Sequence, residues 1–223
     1  MHKKTVRIFR QNQSMETCIC CCILMILDYY HKLPKGMDHP TRSYENHLYS
    51  LLGYHLNGPD FDSRPRRFTR GTPLSAAASY LAEKGLRVTI RHEAKEYMDD
   101  LHWGTPYYPE SVFPAILEKY RYWMEKPCKL LEKLPCERLT ASLLTDILDG
   151  GALILAMCFM DGDEGPVLHG IILDRYRTEE GKVIFHVCNP ATGRHVLDED
   201  ELLWRMNTPV GVHFLSVNES LNT

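Results

Sequence analysis

Residues 17–30 have the sequence TCICCCILMILDYY, and the rest of the chain must fold around this apolar stretch. The run from Cys18 to Leu27 is apolar without interruption, and the pattern predicts a helix over residues 14–31 with Thr17 as its N-cap. A helix that is apolar on all sides must be covered by other parts of the protein. We therefore expect it to be buried, with Cys18 in its first turn.

The composition is that of an ordinary globular protein of 223 residues, with 44% hydrophobic residues, 25% charged residues and a net charge of -3. This length fits a single domain, which we place over residues 1–223. The charge gives no electrostatic case for binding nucleic acid.

The N-terminus lacks a small-residue cleavage pattern, and no stretch reaches the roughly 18–20 apolar residues of a membrane span. We expect a cytoplasmic protein whose eight cysteines are thiols.

Residues 1–150 are predicted to form a mainly helical lobe. Its segment 33–72 is rich in Pro, Gly, Asp and Arg, and we expect a loop-rich insertion with one short helix over Tyr44–Leu52. The predicted elements that follow are a helix over Leu74–Lys84 closed by Gly85, a strand over Leu86–His92, a helix over Pro109–Met124, a linker over Pro127–Pro135 and a helix over Leu139–Leu148.

Residues 151–223 have a β-rich pattern. The predicted elements are strands over Ala152–Met160, His169–Tyr176, Lys182–Cys188 and Val210–Val217, and a short helix over Leu197–Met206. The fold class is therefore predicted to be α+β, with a helical lobe that carries Cys18 and an antiparallel sheet.

Three residues could support cysteine chemistry. Cys18 has the favourable end position on its helix, where the dipole and free N–H groups lower a thiol pKa and can stabilise an oxyanion. His169 opens a predicted strand before an apolar run, and Asn189 ends the next strand before Pro190. Adjacent antiparallel strands bring their ends together, so Asn189 is expected to orient the His169 imidazole. The cysteines at 18, 20, 21 and 22 lie in one helix without a second Cys-x-x-Cys pair, so no metal or cofactor is predicted.

Several motifs, in a fixed order, resemble those of the bacteriocin-processing (double-glycine) peptidases and their freestanding biosynthetic acyltransferase relatives. They are QSMETC over residues 13–18, CILMILDYY over 22–30, the helix–Gly–strand unit over 74–90, LTDILDGG over 144–151, His169-Gly170 and Asn189-Pro190. The resemblance covers the first 30 residues and most of 74–215, and leaves 33–72 unmatched. It implies a papain-like fold, with Cys18, His169 and Asn189 as a catalytic triad.

Two positions depart from the family's pattern. Ile19 stands where the family usually has Gly directly after the nucleophile. The family's oxyanion-donating Gln usually stands six residues before the Cys, a place that Asn12 holds here. Gln13 is our choice for the donor, and Gln11 and Asn12 remain alternatives.

The resemblance implies an acyl-cysteine intermediate that either water or an amine resolves. Water would give a peptidase or amidase of the double-glycine leader type. The lack of the transporter to which such peptidases are usually fused, together with Ile19 and the 33–72 insertion, favours amide formation in natural-product biosynthesis. The expected partners are then a peptide or acyl substrate, presented on a carrier protein, and an amine. A non-catalytic binding module is a third alternative.

Two further segments are candidates for substrate contacts. The insertion and the aromatic stretch Trp103–Tyr108 are expected to form the walls of an acceptor groove. The arginines at 64, 66, 67 and 70 either meet the acidic or phosphate groups of a carrier protein or form a solvated loop.

Overall fold

The computed structural model describes residues 5–11, 17–53, 71–92, 118, 121–123, 125–162, 165–208 and 212–220. Its helices are α1 (Cys18–Tyr29), α2 (Arg42–Leu52), α3 (Leu74–Glu83), α4 (Ala141–Asp149) and α5 (Glu199–Met206). Its strands are β1 (Leu86–His92), β2 (Leu131–Pro135), β3 (Leu153–Gly162), β4 (Gly165–Glu179), β5 (Lys182–Asn189), β6 (Gly193–Asp198) and β7 (His213–Glu219). The protein is therefore α+β, as predicted. Across these ranges, no helix combines the length and apolarity that crossing a bilayer requires.

Helix α1 is covered by the rest of the protein over its length from Cys18 to Leu27. Every residue from Cys18 to Leu27 is buried, which confirms the expectation drawn from its apolar sequence. The helix begins at Cys18 and ends at Tyr29, so it is shorter than the predicted 14–31. Cysteine and isoleucine are only moderate helix formers, and burial of the whole surface is what stabilises this helix.

The seven strands form one sheet of order β2-β1-β7-β3-β4-β5-β6, and helices cover both of its faces. Along β3, Leu153 and Leu155 join the core beneath α1 and α3, whereas Ile154 and Ala156 join the core beneath α4 and α5. This alternation follows from the two-residue period of a strand. Because both faces are buried, β3 has a nearly continuous apolar sequence.

The sheet differs from the predicted one at its two edges. Strand β2 lies where a linker was predicted, and β6 was not predicted at all. Strand β2 pairs with β1 in parallel, so the whole sheet is mixed, but the strands of residues 151–223 pair with one another antiparallel, as predicted. The two missed strands, LEKLP and GRHVLD, are short and polar, as edge strands often are, and neither has the apolar alternation that signals a strand.

The described part of the 33–72 insertion includes core structure. Helix α2 confirms the short helix predicted there, and Thr41 caps it by accepting from the Tyr44 N–H at 3.3 Å. Leu48 and Tyr49 are fully buried, and the Tyr44 hydroxyl lies 2.7 Å from that of Tyr80 on α3. This part of the insertion is therefore packed into the protein through the helix that was predicted. Residues 54–70, with the four arginines, lie outside the described residues.

Strand β4 begins earlier than predicted. It starts at Gly165 and pairs with β3 from Gly162 onward, so His169 lies inside the strand opposite Cys158 and does not open it. Strand β5 pairs with β4 only as far as Cys188 opposite Ile172. His169 thus lies beyond the last of these pairs, beside the end of β5. Of the helix predicted over 109–124, residues 118 and 121–123 are described, and they are helical.

Candidate active site

The thiol of Cys18 lies at the first residue of α1, where this helix meets β4. The side chain is 8% exposed. The backbone N–H groups of Ile19 and Gly170 lower the pKa of this thiol. The first turn of a helix carries N–H groups without intrahelical partners and the positive end of the helix dipole. Cys18 therefore has surroundings that favour a thiolate.

The imidazole of His169 lies between Cys18 and Asn189. Its Nε2 is 2.9 Å from Oδ1 of Asn189, and the ring lies close enough to the Cys18 thiol for the two groups to shift each other's pKa. The same Oδ1 accepts from the N–H groups of Ala191 at 2.7 Å and Thr192 at 3.3 Å. Because those two groups can only donate, this atom must be the amide oxygen, and Nε2 must donate to it. Nδ1 is then left to exchange a proton with the thiol.

The thiol and the imidazole shift each other's pKa in opposite directions. Burial by itself raises the pKa of Cys18, but the hydrogen bond and charge of His169 outweigh it, with help from two backbone N–H groups. The net result is a pKa below the ordinary value. Burial lowers the pKa of His169, but its bonds to Cys18 and Asn189 outweigh that effect and raise it. Both shifts favour a thiolate beside an imidazolium.

The neighbouring cysteines have the opposite character. All eight cysteines are free thiols. Burial, the largest cause in each case, raises the pKa of Cys21 and Cys22 and brings those of Cys158 and Cys188 to about 12. These four therefore behave as small apolar groups with weak S–H donors. Within the described ranges, no group of three or more His, Cys, Asp or Glu side chains could hold a metal ion.

Gly170 lets α1 approach β4 closely enough for Cys18 to reach His169. A Cβ atom at Gly170 would lie 2.4 Å from Cδ1 and 3.3 Å from Cγ1 of Ile19. Ile19 is 1% exposed, so its side chain fills the space that a glycine leaves. Ile19 is thus matched in size to the glycine that follows His169.

The N-terminal segment runs alongside the turn that follows Asn189. The Gln11 N–H donates to the Pro190 carbonyl at 3.0 Å, and Arg10 Nη1 donates to the Ala191 carbonyl at 2.5 Å. The Gln11 Oε1 atom is buried and has no hydrogen-bond partner among the described residues. These contacts hold the turn whose N–H groups fix the Asn189 amide.

Sequence reasoning missed Glu45 on α2. This carboxylate is fully buried and accepts a short hydrogen bond from the hydroxyl of Thr17, the residue directly before Cys18. It also pairs with Arg42 and hydrogen-bonds to the Cys21 thiol. A glutamate in an amphipathic helix 28 residues from Thr17 has no sequence signal that distinguishes it from a surface residue. Only the packing of α2 against α1 identifies it.

The other predicted site residues have not been placed. Asn12 and Gln13, two of the three oxyanion candidates, and the aromatic stretch Trp103–Tyr108 lie outside the described residues.

Comparison of the chain with protein-family models, with curated proteins and with solved structures finds no match. The family resemblance of the sequence therefore stays a prediction, and the candidate site is judged by its own geometry.

Proposed function

We propose that the chain is a cysteine-nucleophile acyl-transfer enzyme of papain-like fold. Cys18 is the nucleophile, His169 the general base and acid, and Asn189 the residue that orients the imidazole. The observation that carries this proposal is the position of the His169 ring, which is hydrogen-bonded to Asn189 and close to the Cys18 thiol, with opposite pKa shifts on the thiol and the ring. A thiolate beside an imidazolium is the reactive form of a cysteine nucleophile.

The reaction begins when the Cys18 thiolate attacks the carbonyl carbon of a thioester or amide. First-turn N–H groups of α1 and the side-chain amide of Gln13 stabilise the oxyanion that forms. The His169 imidazolium gives its proton to the leaving group, and an acyl thioester remains on Cys18. His169 then takes a proton from the amine or water that attacks the acyl thioester. The bond between the acyl carbon and the Cys18 sulfur breaks, which releases the thiolate and the product amide or acid.

The burial of the site supports an amine over water as the acyl acceptor. Cys18 and His169 are only 8% and 7% exposed, and Ile19 packs beside them. An acyl thioester in these surroundings is shielded from bulk water and can persist until an amine binds. The substrate proposed on this basis is a carrier-bound or pantetheine-like thioester. A cysteine peptidase would use the same three residues with water as the acceptor.

Intact-mass spectrometry with acyl-pantetheine thioesters tests the proposed intermediate. The wild-type protein should gain the mass of one acyl group, and Cys18→Ser should lose this adduct, with turnover reduced by more than roughly a thousandfold. Cys22→Ser is the matched control, because Cys22 lies one turn further along the same buried helix, and it should still form the adduct. A protein that forms no adduct and has no fast-reacting thiol would be a non-catalytic binding module.

The choice between amine and water requires a second measurement on the acylated protein. Added diamines or amino acids should shorten the lifetime of the adduct and release an amide. Cleavage of a double-glycine leader peptide, without any response to amines or thioesters, would establish the peptidase instead.

A further inference from the structure

The loop between β5 and β6 begins directly after Asn189. This residue pairs with Gly193 across the two strands, so only residues 190–192 connect them. Gly193 has a φ of 94°, a conformation that glycine adopts readily and that closes many short hairpin loops. The Oδ1 atom that binds the His169 ring also accepts from two N–H groups of this loop. The shape of the loop therefore decides where that oxygen points.

The N-terminal segment is tied to this loop. Arg10 Nη1 donates to the Ala191 carbonyl at 2.5 Å, and the Gln11 N–H donates to the Pro190 carbonyl at 3.0 Å. The Arg10 guanidinium also covers Gly193, because a Cβ atom built on that glycine would lie 2.7 Å from Nη2. A side chain from outside the loop thus contacts both the middle of the loop and its far end.

A second group of contacts anchors the segment at its other end. Val6 is buried, its N–H donates to Asp174 at 3.3 Å, and its carbonyl accepts from Arg194 at 2.7 Å. Arg194 belongs to β6, the second strand of the hairpin that carries Asn189, and Asp174 belongs to the neighbouring strand β4. Because the segment is fastened to the sheet at both ends, Arg10 has a defined position from which to bind the loop.

We propose that Arg10 is a positioning residue for His169. By holding the Ala191 carbonyl, it keeps the loop in the shape that points the Asn189 oxygen at the imidazole. His169 in turn favours the thiolate form of Cys18. The consequence for catalysis rests on the proposed function. The consequence for the Cys18 thiol does not, because it can be measured without a substrate.

The pH dependence of alkylation by iodoacetamide tests this role, with peptide mapping to confirm that Cys18 is the labelled residue. In Arg10→Ala the midpoint of alkylation should rise by about 0.5–1 pH unit, which slows the reaction roughly threefold to tenfold below the midpoint, as expected when one hydrogen bond is lost. Arg7→Ala is the matched control, because it removes the contacts with Asp28 from the same segment and leaves those with the loop in place. Its midpoint should stay at the wild-type value. An unchanged midpoint in Arg10→Ala, or an equal rise in Arg7→Ala, would overturn the proposal.

The Asn189→Ala background separates positioning through the amide from a general effect on the site. Without the Asn189 oxygen the loop cannot orient the ring, so adding Arg10→Ala should move the midpoint by no more than a few tenths of a unit. A further rise as large as that in the wild-type background would refute the route through Asn189.

Hydrogen exchange carries the test if thermal unfolding shows that Asn189→Ala does not fold. The amides of Ala191 and Thr192, followed by NMR, should exchange faster in Arg10→Ala than in Arg7→Ala, because the loop has lost the contact that holds it. Equal exchange rates in the two variants would mean that the loop keeps its shape without Arg10, and the positioning role would be wrong.

These outcomes are distinguishable from failure of the proposed function. A protein that shows the expected alkylation pattern but forms no acyl adduct would refute acyl transfer and keep the positioning role of Arg10. A protein that forms the adduct, with a midpoint that does not respond to Arg10→Ala, would do the reverse.

Discussion

Replacing Gly170 with alanine would test the close approach of α1 to β4. The new Cβ would lie 2.4 Å from Cδ1 of Ile19, whereas carbon atoms pack best at about 3.5–4.0 Å. Ile19 is buried, so it must move by about 1 Å against its neighbours or push the start of α1 away from the strand.

The expected cost follows from two opposing effects. Overpacking a core by one methyl group costs about 1–3 kcal/mol. Replacing glycine at a position with an ordinary φ recovers about 0.4–1 kcal/mol through the unfolded state. Gly170→Ala should therefore lower the free energy of unfolding by about 1–2 kcal/mol. Because the N–H groups of Gly170 and Ile19 lower the pKa of Cys18, displacing them should weaken this effect, and alkylation of Cys18 near neutral pH should slow as well.

Ile19→Val provides the matched control, because it removes the one carbon atom that the alanine would strike. This change alone should cost about 0.5–1.5 kcal/mol. The loss in the free energy of unfolding of the double variant Ile19→Val/Gly170→Ala should be smaller, by about 1 kcal/mol, than the sum of the losses of the two single variants. Urea denaturation measures the stabilities, and iodoacetamide labelling measures the thiol. If the stability losses of the two single variants are additive, and Cys18 of Gly170→Ala is alkylated at the wild-type rate, then the contact between Ile19 and Gly170 does not position Cys18.

Three further predictions concern the site and its supports. Asn189→Ala removes the oxygen that accepts from His169, and steady-state turnover should fall by roughly ten- to a hundredfold, since this residue orients the ring but carries no charge. The folded pKa of Cys18 lies below its unfolded value of about 9, so the thiolate adds stability above that pH. This stability is lost as pH falls through the lowered pKa, and urea titrations of wild type and Cys18→Ala should converge over that range. Asp174 accepts from Arg194 at 3.0 and 3.2 Å and from the Val6 N–H at 3.3 Å, so it ties the N-terminal segment to the sheet. Asp174→Ala should therefore lower the free energy of unfolding by about 1–3 kcal/mol and make the N-terminal segment more susceptible to proteolysis.

The apolar patterns of the sequence predict the central strands of the sheet but not the strands at its two edges. Strands β3, β5 and β7 have apolar sequences because they are buried, and the sequence predicts them to within a few residues. Strands β2 and β6 lie at the edges, where one side of the backbone has no neighbouring strand and the side chains are largely polar. Such strands are specified by the partner that they pair with, and their own sequences carry little of that information.

The sequence by itself determined the buried α1 helix, the α+β class and the choice of Cys18, His169 and Asn189 as the candidate site. Each rests on a local pattern, such as an apolar run or a polar residue at the end of a predicted strand, that neighbouring residues specify. Only the tertiary structure decided that Ile19 packs on Gly170 and that Glu45 holds the Thr17 hydroxyl. These contacts join residues far apart in the chain, and their geometry depends on how closely two buried elements pack, which no pattern within either element records.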